Sequence, residues 1–378
     1  MNYRILLINW QDIANPLGGG AEVHAHEIFR RIVLKGHEVI QLSCRFRSAP
    51  KEEFIDGIRI IRCGVRSIFN WIVPVVYRRL SSQIDIDVVF DDINKIPFCT
   101  PLFVRQPVIG MIHHLFGKSI FLETGWMQAQ YVRLGERAIP WIYRDKQLLA
   151  VSESTRQELI QWGVPADHID IVLNGVDPRR YYMIQGMKDP KPLIGYFGRL
   201  KKYKCIDHLI HALADIVPQV PDVRLLILGE GDYRKELEKL IQKLNLNAYV
   251  QFMGEMKHEE SVQLLNRMWV VVNPSSKEGW GLTVIEANAC GTPVVAADSQ
   301  GLRDSVIDGQ TGLLYPWGRV DQLADRMMKI ILDRNLRRRL ERGASAWAKK
   351  FSWDDSATKT LRIIENVLSR RFGGSVYE

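Results

Sequence analysis

Short apolar runs rich in branched residues recur along the chain, each bounded by Gly, Pro, Asp or Asn. The first half carries "RILLIN", "HEVIQLSC", "GIRIIRC", "DVVFDD" and "VIGMIHH"; the second carries "KPLIGYFGRL", "RLLILGEG", "YVQFMGE", "WVVVNPS" and "TPVVAAD". Runs of this length between turn residues read as buried strands. "AEVHAHEIFRRIVLKG" between the first two has helical spacing instead. Repeated βα units predict parallel sheets with helices on both faces, here two in series. Residues 172–192, "VLNGVDPRRYYMIQGMKDPKP", are rich in Gly, Pro and charge and read as the connection. The expected fold is α/β, with two doubly wound Rossmann-like domains at residues 1–182 and 183–355. Residues 356–378 follow as a C-terminal helix, with Ser352 a candidate cap. Periodicity leaves open whether that helix packs on its own domain or crosses back to the first.

Composition changes this picture little. The chain has 378 residues, 46% hydrophobic and 25% charged, and a net charge of +8 spread over both halves. That balance suits phosphate-bearing ligands or an anionic surface and gives no concentrated tract for nucleic acid. Cys44, Cys63, Cys99, Cys205 and Cys290 are odd in number, widely spaced and without a CxxC pair, which points to a reducing, cytoplasmic setting. The opening "MNYRILLIN" lacks the pattern of a secretory signal. Residues 65–80, "VRSIFNWIVPVVYRRL", are too short to span a bilayer, but basic flanks with Trp71 and Tyr77 suit its interface at the cytoplasmic face. A buried helix beside a sheet would read the same, and Pro74 is expected to interrupt it.

The chemistry concentrates in the loops. "SKEGWGLTVIEANACGTPVVAAD", residues 276–298, places Glu278 on a glycine loop and Glu286 one turn into a helix. The N–H groups of Gly281, Leu282 and Thr283 at that helix start would favour an anion, and Glu286 could accept hydrogen bonds from ribose or sugar hydroxyls. "YFGRLKKYK" puts Arg199 and Lys204 after another strand, a pairing suited to a diphosphate. Glu230 in "GEG" marks a turn whose backbone lines a nucleotide pocket or merely rounds a corner. Gly18, Gly19 and Gly20 form a phosphate or acceptor loop without the GxGxxG spacing of dinucleotide folds. His113 and His114 end a strand, so only one can face a ligand, and His24 and His26 diverge on a helix; neither pair chelates a metal. Asp85 and Asp87 have DxD spacing but precede their strand, whereas Asp91 and Asp92 end theirs; no metal is expected to be required.

Together these residues resemble the retaining family 4 glycosyltransferases of GT-B architecture, in which two Rossmann-like domains face a central cleft. The resemblance rests on the E-x7-E element at Glu278 and Glu286 and on G-R-L-x4-K at Gly198, Arg199, Leu200 and Lys204, with Cys205 where a glycine is common. It implies a hexose donor, a UDP- or GDP-sugar, bound by the second domain, and a glycan or lipid-linked acceptor on the first. It assigns Arg199 and Lys204 to the diphosphate, Glu286 to the ribose, Glu278 to the transferred sugar and one of His113 or His114 to the reaction centre. Two other readings remain: an epimerase or phosphorylase of the same architecture, and a non-catalytic binder of nucleotide sugars or glycans.

Overall fold

The computed structural model describes residues 2–371 apart from Lys95 and Lys118. Residues 372–378 of the expected C-terminal segment lie outside the described residues. The chain divides into two compact units: Met1–Gly117, Met127–Gly175 and Trp353–Glu378 form the first, and Lys118–Trp126 with Val176–Ser352 the second.

The first unit is built on eight strands: β1 (Arg4–Ile8), β2 (Glu38–Cys44), β3 (Glu52–Ile55), β4 (Ile58–Cys63), β5 (Val88–Ile93), β6 (Val108–Ile112), β7 (Gln147–Ala150) and β8 (Ile169–Ile171). Their spatial order is β3-β4-β2-β1-β5-β6-β7-β8, all parallel except β3 against β4. Strand order therefore reverses between β1 and β5. The sheet is fully buried along β5 and β6, which is why those strands are apolar without alternation.

Helix α1 (Gly20–Leu34) follows β1 and turns Ala25, Ile28, Phe29 and Ile32 inward. Helix α2 (Phe69–Ser81) corrects the expected interruption at Pro74, because it runs through that residue. Phe69, Val73, Tyr77 and Leu80 are buried along one face. At about 1.5–3 kcal/mol each, their burial outweighs the roughly 3 kcal/mol cost of an internal proline. Helices α3 (Trp126–Ile142) and α4 (Glu153–Gln161) complete the central crossovers, α4 capped by Ser152 Oγ accepting from the Thr155 N–H (3.1 Å).

The second unit carries β9 (Leu193–Phe197), β10 (Arg224–Leu228), β11 (Val250–Gly254), β12 (Val270–Asn273), β13 (Val294–Ala297) and β14 (Gly312–Tyr315) in the order β11-β10-β9-β12-β13-β14, all parallel. Its order reverses between β9 and β12. Helices α5 (Ile206–Ile216), α6 (Arg234–Lys243), α7 (His258–Arg267), α8 (Leu282–Ala289), α9 (Leu302–Ser305), α10 (Val320–Leu332) and α11 (Arg334–Ala348) surround it.

Helix α12 (Trp353–Arg371) belongs to the first unit. Arg31 Nε of α1 donates to Asp354 (2.8 Å), and Ser356 Oγ donates to the Leu173 carbonyl (2.7 Å). The boundary between units falls at Gly175/Val176, ahead of the residue 182 expected from sequence, and the helix starts at Trp353 rather than at residue 356. The polar stretch that reads as linker is pinned to the second unit. Val176 N–H donates to the Phe351 carbonyl (3.1 Å), and Asn266 holds both the Tyr182 carbonyl (3.0 Å) and the Ile184 N–H (2.6 Å).

Candidate active site

In open parallel sheets, loops diverge at the carboxyl edge where strand order reverses, leaving room for a ligand. In the second unit that point lies between β9 and β12, and the segments leaving these strands carry Arg199 and Lys204, and Glu278 with Glu286 of α8, respectively. The loops are stitched together. The Tyr203 carbonyl accepts from both the Ser276 N–H and Ser276 Oγ (3.0 Å each), and Lys204 Nζ donates to Glu278. Ser275 Oγ also donates to Glu278 (2.8 Å) and reaches Asn273 (2.6 Å). Burial works against the Lys204 charge, but Glu278 overcomes it and raises the pKa above the ordinary lysine value. Lys204 and Glu278 thus neutralise each other, while Arg199 is exposed with no ion pair among the described residues.

Behind the Arg199 loop, the "GEG" turn packs backbone on backbone. Leu200 N–H donates to the Glu230 carbonyl (2.9 Å), and a Cβ at Gly229 or Gly231 would lie 2.1 Å from the carbonyl oxygen of Gly198 or Leu200. These glycines let two turns touch. The Glu230 side chain is paired with Arg234, leaving only its backbone to the Arg199 loop.

Helix α8 starts at Leu282 behind Gly281, whose φ of +90° suits glycine. Its first N–H groups, of Leu282 and Thr283, have no intrahelical acceptor and carry the helix's positive end. Glu286, one turn on, is partly buried, and Tyr181 of the pinned segment acts on its carboxyl. Loss of water pushes its pKa up to about 7, opposed by the Tyr181 hydrogen bond and the charge of Arg180. Tyr181, in contact with His258 at 4.8 Å between rings, is raised by its own burial and by Glu286.

The first unit holds a second polar cluster at its own reversal point. Asp92, at the end of β5, accepts from Asn9 Nδ2 after β1 (2.6 Å) and pairs with His113 Nε2 after β6 (2.7 Å). His24 of α1 packs edge-on against His113 at 5.1 Å. Burial opposes the His113 charge, but Asp92 raises its pKa overall; burial, then the charge of His113, drives His24 well below the ordinary imidazole range. Glu22 accepts from the Gly19 N–H (2.6 Å), and loss of water raises its pKa. Gly20 opens α1, with open space where a Cβ would project, whereas Gly18 closes on the Asn15 carbonyl.

Of the two adjacent histidines, His113 enters this cluster, while His114 lies against Phe116 (4.2 Å). Phe116 itself is buried. His26 turns away to Asp56 (2.8 Å). Asp85 and Asp87 sit before β5 beside Arg4, and Asp91 accepts from Thr100, Phe98 and Tyr143. No group of three metal-ligating side chains occurs among the described residues. Sequence reasoning weighed His24 only as a metal ligand and did not single out Asn9, Glu22 or Tyr181. Asn9 directly follows β1, and its place at the end of that strand was the one signal available; the others meet only in three dimensions.

Comparison with known proteins agrees with this architecture. Residues 18–180 match the family described as Glycosyltransferase Family 4, and residues 182–347 the one described as Glycosyl transferases group 1. A glycogen synthase of Mycobacterium tuberculosis is 25% identical over 390 residues, covering 95% of this chain and 94% of that one. Sucrose-phosphate synthase from Thermosynechococcus elongatus superposes with a TM-score of 0.85 at 22% identity, over 98% of this chain and all of that one. Anabaena HepE, solved with UDP and glucose, gives 0.78 at 20% identity, over 97% and 100%. The chain belongs to the GT-B glycosyltransferases, with both of its Rossmann-like units matched to glycosyltransferase families.

Proposed function

We propose that the protein is a retaining, metal-independent hexosyltransferase. It moves a sugar from a UDP- or GDP-sugar to a glycan or lipid-linked acceptor in the cytoplasm. The observation that carries this reading is the convergence, at the β9/β12 reversal, of an exposed arginine with no ion pair among the described residues, a helix start and a partly buried carboxylate. A diphosphate fits Arg199 and the α8 N-terminus; the ribose hydroxyls fit Glu286. HepE binds UDP, and its fold superposes on this chain, which supports UDP as the first donor to test.

Lys204 reaches the phosphates beside Arg199 and also fixes Glu278, which accepts from the hydroxyls of the transferred sugar. A carboxylate held by Lys204 and Ser275 is poorly placed as a nucleophile, and this favours front-face transfer. In that step the acceptor oxygen bonds to the anomeric carbon as the bond to the diphosphate oxygen breaks. The acceptor proton leaves on the departing phosphate. Arg199, Lys204 and the α8 N–H groups stabilise the developing anion electrostatically. The first unit takes the acceptor, with His113 the imidazole offered to the sugar and the Gly18–Gly20 loop beside it.

The test is transfer from labelled UDP-glucose, UDP-galactose and GDP-mannose into a membrane-lipid or glycan extract in excess chelator. The reading expects α-linked product from one donor, seen in the one-bond coupling between the anomeric carbon and its proton. A β-linked product, or transfer abolished by chelator, would overturn it.

A further inference from the structure

Helices α2 and α3 of the first unit each leave an apolar stripe exposed. Along α3 the buried face is Ala129, Val132, Glu136 and Ile139, yet Met127, Tyr131, Leu134 and Trp141 form a second apolar stripe at helical spacing that is exposed. Trp141 is 83% exposed and Met127 80%. Helix α2 has the same character: Ile68, Trp71 (74% exposed) and Val75 point outward while Phe69, Val73 and Tyr77 are buried. The two helices meet where Asn70 Nδ2 donates to Tyr131 Oη (3.0 Å). An exposed apolar surface of this extent on a folded unit calls for an occupant.

Its charge identifies the occupant. Residues 65–82 contain no acid, and Arg66, Arg78 and Arg79 are exposed. On α3 the sole acid, Glu136, is buried and accepts from the Phe116 and Gly117 N–H groups, while Arg137 is exposed and Arg133 half-buried. Beyond α3, exposed Arg144 and Asp145 cancel. Every exposed charge on the two helices is therefore positive, interleaved with tryptophan and tyrosine. That combination complements anionic lipid at the headgroup boundary. No described helix is long and apolar enough to cross a membrane.

We propose that α2 and α3 together form a docking surface for an anionic lipid membrane, with Trp71 and Trp141 inserting at the headgroup level and the arginines pairing with lipid charge. This extends the lipid-linked-acceptor reading above but rests on the surface itself, so binding of vesicles and of nucleotide are measured separately.

The experiment is co-sedimentation of the full chain with vesicles of equimolar phosphatidylglycerol and phosphatidylcholine, and with phosphatidylcholine alone. Binding is expected to the anionic vesicles, weakened by salt. The pair Trp71→Ser and Trp141→Ser should lower partitioning more than ~10-fold, with the thermal melt and UDP titration unchanged. Arg78→Glu with Arg79→Glu should lower it by a similar factor. Failure to bind anionic vesicles would overturn the proposal. So would a concentration-dependent dimer abolished by the tryptophan variants, since the surface would then serve a second copy. A lost UDP response with vesicle binding intact would count against the donor reading alone.

Discussion

Each glutamate of the β12–α8 segment has a distinct physical circumstance. Glu278 is held by Lys204, with both side chains nearly buried at 13% and 14% exposure. Lys204→Ala strands that carboxylate, and the expected loss is about 3 kcal/mol in urea unfolding, whereas Lys204→Met with Glu278→Gln recovers most of it. Burial pushes the Glu286 carboxyl up to about 7. Its folded pKa lies above the unfolded 4.5, so this group's contribution to stability is fully present below 4.5 and is lost as pH rises through about 7. The ribose recognition proposed for Glu286 runs the other way, because two acceptor oxygens require the ionised form. Nucleotide affinity should weaken as pH falls below about 7, and Glu286→Gln should flatten that dependence in calorimetry. The two histidines of the first unit have opposite signs. His113 contributes below its unfolded 6.5 and loses the contribution as pH rises through its raised pKa; His24 contributes above 6.5 and loses it in acid.

At the level of elements, the turns decide whether the donor site forms. Gly229→Ala places a Cβ against the Gly198 carbonyl at a φ of +126°. It should cost at least ~2 kcal/mol by overpacking and strain and displace Arg199, so that stability and nucleotide affinity fall together. Cys205 has a φ of +51° at the start of α5, which explains why glycine is common there. Relief of roughly 1 kcal/mol of left-handed strain offsets the loss of a buried thiol, and Cys205→Gly should leave the melting temperature nearly unchanged. The strands that read plainly in sequence are those buried on both faces, such as β5, β12 and β13. β3, β7, β8 and β14 escaped notice because they lack the run of valines that marks the equally short β12 and β13, and edge strand β3 is half polar. Helix α2 was ambiguous for the opposite reason, since apolar residues surround it and only packing shows which face is covered. The neighbourhood of the segments carrying Arg199 and Lys204, and Glu278 and Glu286, was legible because loops after adjacent parallel strands must converge. The Tyr181 contact was not, because a Gly- and Pro-rich stretch gives no sign of where it lies.

Across the whole molecule, the chain leaves the first unit at Gly175 and returns to it at Trp353, so α12 completes a core begun at β1. Ile364, fully buried on α12, tests this closure. Ile364→Ala should cost about 3 kcal/mol and raise hydrogen exchange in α1, with protection in the second unit unchanged. The account also makes the second unit the nucleotide half. The most direct measurement is calorimetric titration with UDP, GDP and ADP in excess chelator, for wild type and Glu286→Ala. The account predicts that one nucleotide binds the wild type without metal and binds Glu286→Ala at least ~10-fold more weakly. Binding of none of the three, or equal affinity in the variant, would contradict it.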